Sequence, residues 1–182
     1  MNKANLYNFF RTLIAFLAMT VPLASALAAN GPTGRQSETG RKSNLFHGAW
    51  FDVRHPAGFT PKPSLESSTA DGYDSAEFIS ADGTVSFYVF APQWGGTAVD
   101  IALDPEHEQL VSEQQRRVGD RQLRWFTIAA RDGSYCRSYQ ETVARQGSVT
   151  TVVGIKYRNE ADRLRFQKAY ERFRTSLKLY AD

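Results

Sequence analysis

Aromatic and amide side chains cluster beside the most apolar predicted strand, and they are the residues best suited to bind a ligand. Gln93 and Trp94 follow the apolar run 84–91, and Tyr73 and Asp74 come just before the apolar run that precedes it. If these two runs pair as a hairpin, both groups lie at one end of a sheet, where loops form clefts. Tyr73 and Trp94 would then frame a shallow site for a peptide, a sugar or a small apolar ligand. The alternative is that Trp94 caps the core and its indole N–H bonds a loop carbonyl.

Carboxylates are the second group with possible chemistry, as the acids and bases of a small hydrolase. Asp52, Asp74, Glu77 and Glu141 all fall in or beside predicted strands, and only the fold can bring them together. Strand-borne carboxylates more often mark the solvated face of a sheet. The sequence contains no Gly-x-Ser-x-Gly elbow, Ser-x-x-Lys pair, P-loop or Gly-x-Gly-x-x-Gly fingerprint. A non-enzymatic protein without a cofactor is therefore favoured. The alternative is a carboxylate-dependent hydrolase that uses Asp52, Asp74 and Glu141.

Histidine and cysteine give little support to a metal centre or a covalent mechanism. His47, His55 and His107 do not have the spacing of metal ligands, and no cysteine lies near them. A solvated polar loop explains the acids that surround His107. Cys136 is the only cysteine, so no intrachain disulfide can form. We expect a small buried thiol, with an exposed thiol that pairs with another chain as the alternative.

Alternating hydrophobicity predicts that most of the chain forms an antiparallel sheet. An opening strand over 49–54 stops before Pro56, and a long surface loop is expected over 57–71. The run 84–91 is apolar on both faces, which predicts a strand at the centre of the sheet. Further strands are predicted over 75–80, 122–130, 134–144 and 148–157, joined by turns that contain Gly, Asp or both.

Two segments of the predicted sheet are ambiguous. Residues 99–103 have the composition of a short strand between breakers. Residues 109–118 contain Glu, Gln and Arg, which favour helix, yet the Gly119–Asp120 turn that follows fits a hairpin. We prefer a strand for 109–118 and keep a helix as the alternative.

The chain is expected to close with an amphipathic helix that packs on one face of the sheet. Asn159 can cap this helix, and Asp162 places an acid in its first turn, where the helix dipole favours negative charge. Apolar residues then recur at intervals of four and three, which predicts one continuous stripe. The stripe comprises Phe166, Tyr170, Phe173, Leu177 and Tyr180.

Residues 1–28 have the features of a secretory signal peptide. Lys3 and Arg11 form the positive region, residues 12–23 the apolar core, and Ala26 and Ala28 the small residues before the cleavage site. Cleavage after Ala28 predicts a periplasmic or secreted protein without a membrane anchor. A flexible tail is expected over 29–43, because this run lacks large apolar side chains, and a single α+β domain over 44–182.

The formal net charge of the chain limits the classes of partner that we expect. Without Lys3 and Arg11, the chain carries 20 basic and 19 acidic residues, so its formal net charge is +1. A nearly neutral protein gives no general reason to expect nucleic acid or an anionic membrane as a partner. A protein partner or a small ligand is the expectation that remains.

Two segments resemble the ends of PsbP-like domains, the PsbP/Mog type of α+β fold. Residues 50–59 (WFDVRHPAGF) look like the aromatic strand and Pro-x-Gly-aromatic turn that open these domains, and residues 170–177 (YERFRTSL) are similar to their closing helix. The resemblance implies an antiparallel sheet flanked by helices. It also implies a role in binding or assembly, as in extrinsic photosystem subunits and a Ran-binding branch, and it brings no catalytic residues. Export would exclude a Ran partner.

Overall fold

A seven-stranded antiparallel sheet, a three-stranded antiparallel sheet and one α-helix form the part of the chain that the structure describes. This computed structural model describes residues 43–93, 95–144 and 149–180. In chain order the elements are β1 Ser43–His47, β2 Phe51–Pro56, β3 Phe59–Pro63, β4 Ser75–Ser80, β5 Val85–Phe90, a 3-10 turn Val99–Ile101, β6 Glu108–Val118, β7 Arg121–Ala130, β8 Cys136–Ala144, β9 Val149–Tyr157, α1 Glu160–Thr175 and β10 Lys178–Leu179. The predicted α+β class with an antiparallel sheet and a C-terminal helix is confirmed.

Strand β5 lies inside the larger sheet, whose order is β3-β4-β5-β9-β8-β7-β6. All six of its residues are buried, as predicted for a run that is apolar on both faces. Val85, Phe87 and Val89 belong to the core beneath α1. Helix α1 also packs against β2 and β9. Tyr88 and Phe90 point to the opposite face and join a second apolar cluster there. The sheet therefore carries a core on each side.

Helix α1 begins as predicted and ends earlier than predicted. The Asn159 side chain accepts a hydrogen bond of 2.9 Å from the backbone N–H of Asp162. The helix ends at Thr175, where the N–H and hydroxyl of Ser176 bond back to helix carbonyls. The helical stripe therefore stops at Phe173. Leu177 lies beyond the helix but packs against the core, as expected for a member of the stripe. Tyr180 is exposed and follows β10, which pairs with β2, so its predicted place in the stripe is wrong.

The remaining differences from the prediction concern segments whose structure depends on residues far away in the sequence. The predicted surface loop 57–71 contains β3, which pairs with β4 at the edge of the sheet. An edge strand tolerates Pro61 and Pro63 because their missing N–H groups are not needed on the open side. The segment 99–103 contains a 3-10 turn and no strand, whereas 109–118 is a strand, as preferred.

The structure describes only part of the segment to which the N-terminal predictions apply. Strand β1 pairs with β2 and begins at Ser43, the last residue of the predicted tail. The opening strand, predicted over 49–54, runs over 51–56. The predicted signal peptide (1–28) and the rest of the tail (29–42) lie outside the described residues. Within the described ranges, no helix combines the length and apolar character that a membrane span requires.

Replacing Phe173 by Ala is expected to lower the free energy of unfolding by about 3–5 kcal/mol. Phe173 is 1% exposed, and its ring contacts the rings of Phe78 and Phe87 at centroid distances of 5.2 Å. Urea denaturation followed by circular dichroism measures the loss. Leu164→Ala on the exposed side of α1 is the control and should change stability by no more than about 0.5 kcal/mol. Equal losses in the two variants would contradict this assignment of the core.

Candidate functional site

The segments that contain the predicted site residues do meet at one end of the β4–β5 hairpin. The backbone N–H of Ala91 donates to the carbonyl of Asp74 at 2.8 Å, and Tyr73 accepts from the N–H of Ala49 at 2.9 Å. Tyr73, Asp74 and Gln93 are half-buried, and one carboxylate oxygen of Asp74 is buried without a partner in the described structure. Trp94 lies outside the described residues. Neither of the two cavities described below is lined by these residues, so this site stays a prediction.

The carboxylates of the alternative hydrolase contact different partners and share no hydrogen-bond network. Asp52 accepts from His47 in the smaller sheet at 2.6 Å, and Glu141 contacts Arg124 on β7 at 3.4 Å. Glu77 accepts from Ser86 at 2.6 Å. Among the described residues, no group of three or more His, Cys, Asp or Glu side chains is placed to hold a metal ion.

The only cysteine is not set up as a nucleophile. Cys136 is a free thiol, half-buried at the start of β8, and it packs against the core beneath α1. Burial, and next the charge of Glu160, raise the pKa of its thiol. A thiol with a raised pKa stays protonated at neutral pH and is a poor nucleophile.

The first cavity, which we call the Arg137 pocket, lies on the sheet face opposite α1 and has a volume of about 380 Å³. Its centre is a buried ion pair in which Nε and Nη2 of the Arg137 guanidinium each contact one oxygen of the Glu108 carboxylate. The same guanidinium donates to the backbone carbonyls of Ile101 and Ala102 at 2.7 and 2.9 Å. Arg137, which lies on β8, thus holds the end of the 3-10 turn against the sheet.

Each oxygen of the Glu108 carboxylate also accepts a second hydrogen bond. The Tyr135 hydroxyl donates to it at 2.7 Å, and the N–H of Asp104 donates at 3.0 Å. Burial alone would raise the pKa of Glu108, but these bonds and Arg137 hold it below its ordinary value. Burial, and next the Glu108 carboxylate, raise the pKa of Tyr135 to about 12, so its hydroxyl remains a donor. The centre of this pocket is therefore saturated by its own groups, which indicates a structural role.

The second cavity, which we call the His55 cleft, has a volume of about 640 Å³ and lies between α1, the β2–β3 turn and the β4–β5 turn. Its floor consists of four buried side chains from three separate elements: His55, Phe59, Ala169 and Phe173. Strand β2 alternates inward and outward residues, and Phe51, Val53 and His55 occupy its inward positions. The cleft is thus an opening in the core that is largely apolar and has one titratable group in its floor.

His55 presents an unused hydrogen-bond acceptor. Its Nδ1 lies 3.0 Å from the carbonyl oxygen of Pro56, and a carbonyl can only accept, so Nδ1 carries the proton. The neutral ring then has its lone pair on Nε2, for which no partner exists among the described residues. Burial lowers the pKa of His55, and the bond to Pro56 offsets this only in part. His55 is therefore neutral at pH 7 and can accept a further hydrogen bond.

The rim of the His55 cleft is positively charged. Arg54 and Arg172 line it, both are exposed, and neither guanidinium forms an ion pair with any described carboxylate. Asp82 is the acid of the rim, and its charge is already engaged. Its carboxylate accepts from Ser80 and Thr84 and contacts Arg165 at 2.7 Å.

Sequence reasoning considered His55 only as a possible metal ligand and missed this site. The available signal was the period of two in β2, which places His55 on the inward face with Phe51 and Val53. No sequence pattern indicated that Ala169 and Arg172 line the cleft, since only the fold brings α1 to the end of β2.

No known family model and no curated protein matches the sequence. Among solved structures, the chain is similar to cyanobacterial PsbP (CyanoP) from Synechocystis sp. PCC 6803, with 11% identity and a TM-score of 0.45 over 82% of this chain and 100% of that chain. It is also similar to the Ran-binding protein Mog1p from Saccharomyces cerevisiae, with 8% identity and a TM-score of 0.39 over 78% and 97% of the two chains. The weak resemblance stated from the sequence is confirmed for the fold, and no residue role follows from it.

Replacing Arg137 by Met is expected to cost about 3–5 kcal/mol of stability, because it leaves the buried Glu108 carboxylate without its cation. Arg124→Met on neighbouring β7 is the control, since its ion pairs with Glu113 and Glu141 are partly exposed and should each contribute about 1 kcal/mol at most. Urea denaturation of both variants measures the difference. The double variant Arg137→Met/Glu108→Met should recover part of the loss, and an additive loss would contradict a coupled pair.

The contribution of His55 to the free energy of unfolding is expected to fall as the pH is lowered from 7.5 to 5.5. The pKa of His55 is lower in the folded state, so the unfolded chain binds a proton first, at about pH 6.5. The contribution of His55 is complete above that pH and is lost as the pH falls towards the folded-state pKa. Urea denaturation across this window should show a smaller loss for His55→Phe than for the wild type. Parallel curves for the two proteins would contradict the burial of a neutral His55.

Proposed function

We propose that this protein is an exported, non-enzymatic binding protein and that the His55 cleft is its ligand site. The observation that carries the proposal is the cleft itself, a cavity of about 640 Å³ with an apolar floor and few polar groups. Small-molecule sites in proteins have this size and composition, with a few polar groups that fix the orientation of the ligand. In the His55 cleft those groups are the Nε2 atom of His55 and the two unpaired guanidinium groups.

The electrostatics of the carboxylates support binding over hydrolysis. A hydrolase of the glycosidase type needs a carboxylic acid with a raised pKa, which can donate a proton near neutral pH. In the described ranges, hydrogen bonds to the charged form outweigh burial and lower the pKa of every carboxylate whose pKa is shifted. These are Asp52, Asp82, Asp104, Glu108, Glu113 and Asp132.

Export is proposed from the sequence. The charged, apolar and small-residue regions within 1–28 follow the order of a secretory signal, and cleavage after Ala28 would remove two positive charges. The protein would then act in the periplasm or outside the cell. A small ligand or a segment of a protein partner would meet the cleft there, and neither nucleic acid nor a membrane anchor is part of this proposal.

The proposal predicts that an uncharged apolar probe, N-phenyl-1-naphthylamine, binds the purified protein saturably with a rise in fluorescence. Ala57→Trp and Gly58→Trp at the β2–β3 turn should each weaken this binding by roughly tenfold, because the new side chain narrows the cleft. A Cβ added at Gly58 meets no atom within 4 Å, so the substitution leaves the core in place.

Leu164→Trp adds the same side chain on the exposed side of α1, away from the cleft, and should leave the affinity unchanged. Circular dichroism checks that all variants fold. The intact mass of protein purified from the periplasmic fraction reports whether residues 1–28 have been removed. Absence of saturable binding, or wild-type affinity in both β2–β3 variants, would contradict the assignment of the site.

A further inference from the structure

We propose that the ligand of the His55 cleft is an anionic amphiphile, an apolar chain that ends in one anionic group. This inference rests on the proposed function and adds the chemical class of the ligand. It follows from three features of the cleft: an apolar floor, two cations at the rim that lack partners, and a neutral ring that disfavours an anion at the floor.

The apolar part of the ligand is assigned to the floor. The ring of Phe59 stacks on Phe87 at a centroid distance of 4.7 Å and meets Phe166 edge-on at 5.5 Å, so the aromatic wall is fixed by the core. A rigid apolar wall loses little entropy when it binds a chain, and the water that it releases favours association. The floor therefore fits methylene groups better than a polar ligand.

The anionic group is assigned to the rim. Arg54 comes from β2 and Arg172 from α1, yet both line the same cleft and neither has an acidic partner in the described structure. Asp82, the acid at this rim, is neutralised by Arg165. The cleft thus carries two uncompensated positive charges, and guanidinium groups bind carboxylate and phosphate oxygens through paired N–H donors.

His55 sets the orientation of the ligand. Because Nδ1 donates to Pro56, the Nε2 atom carries a lone pair, which an anionic oxygen would approach unfavourably. The buried ring is also held neutral, so it offers the floor no positive charge. An anionic group therefore lies at the arginine rim, with the chain directed inwards over Phe59 and Phe173.

Displacement of N-phenyl-1-naphthylamine by four ten-carbon compounds tests this inference. Decanoate and decyl phosphate should displace the probe at concentrations at least tenfold lower than decanol, and decylamine should be the weakest. The order of the two anions distinguishes a carboxylate from a phosphate ester. The double variant Arg54→Ala/Arg172→Ala should weaken both anions by tenfold or more and leave decanol unchanged.

Arg116→Ala/Arg121→Ala removes two exposed arginines from the β6–β7 hairpin, at the opposite edge of the sheet from β3, and is the matched control for net charge. It should preserve the preference for anions. If decanol and decanoate bind equally, or if loss of Arg54 and Arg172 leaves decanoate binding intact, the inference is overturned while the proposed function stands. If the uncharged probe does not bind the wild-type protein, both are overturned.

Discussion

The need to cover β5 on both faces is the constraint on which the rest of the structure depends. Its inward and outward side chains are all buried, so the chain must supply two covers. Helix α1 supplies the first, through Phe173. The second is the irregular segment after β5, where Ala98 and Ile101 pack on the opposite face. The 3-10 turn of this cover forms its own backbone bonds, and Arg137 donates to the carbonyl groups of Ile101 and Ala102 at its end.

The two buried charged or titratable positions beside these covers differ in how completely they are satisfied. Every oxygen and nitrogen at the Arg137–Glu108 contact has a partner within the protein. His55 has one partner and one vacant acceptor, and it lies at the edge of the same core that α1 closes. A saturated cluster leaves no group for a ligand, whereas the apolar floor and the rim arginines of the His55 cleft remain open to one. The contrast identifies the His55 cleft as the functional candidate.

Local patterns in the sequence predict the parts of the fold that local physics determines. The double-sided burial of 84–91 and the cap at Asn159 are both readable because each depends on residues close in sequence. The strand β3 and the short strand β10 are not readable, since their pairing depends on partners elsewhere in the fold. The cleft is missed for the same reason: Arg54 and Arg172 are far apart in the sequence, and only the packing of α1 makes them neighbours.

The edges of the larger sheet bear on how the protein behaves at high concentration. Pro61 and Pro63 deprive the β3 edge of two N–H donors, and the β6 edge carries several charges and a bulge after Leu110. A second copy would meet missing donors at the β3 edge, and solvated charged side chains and an irregular register at the β6 edge. Growth of an intermolecular sheet is thereby opposed at both ends. The larger sheet is in this way protected against edge-to-edge association when the protein is concentrated.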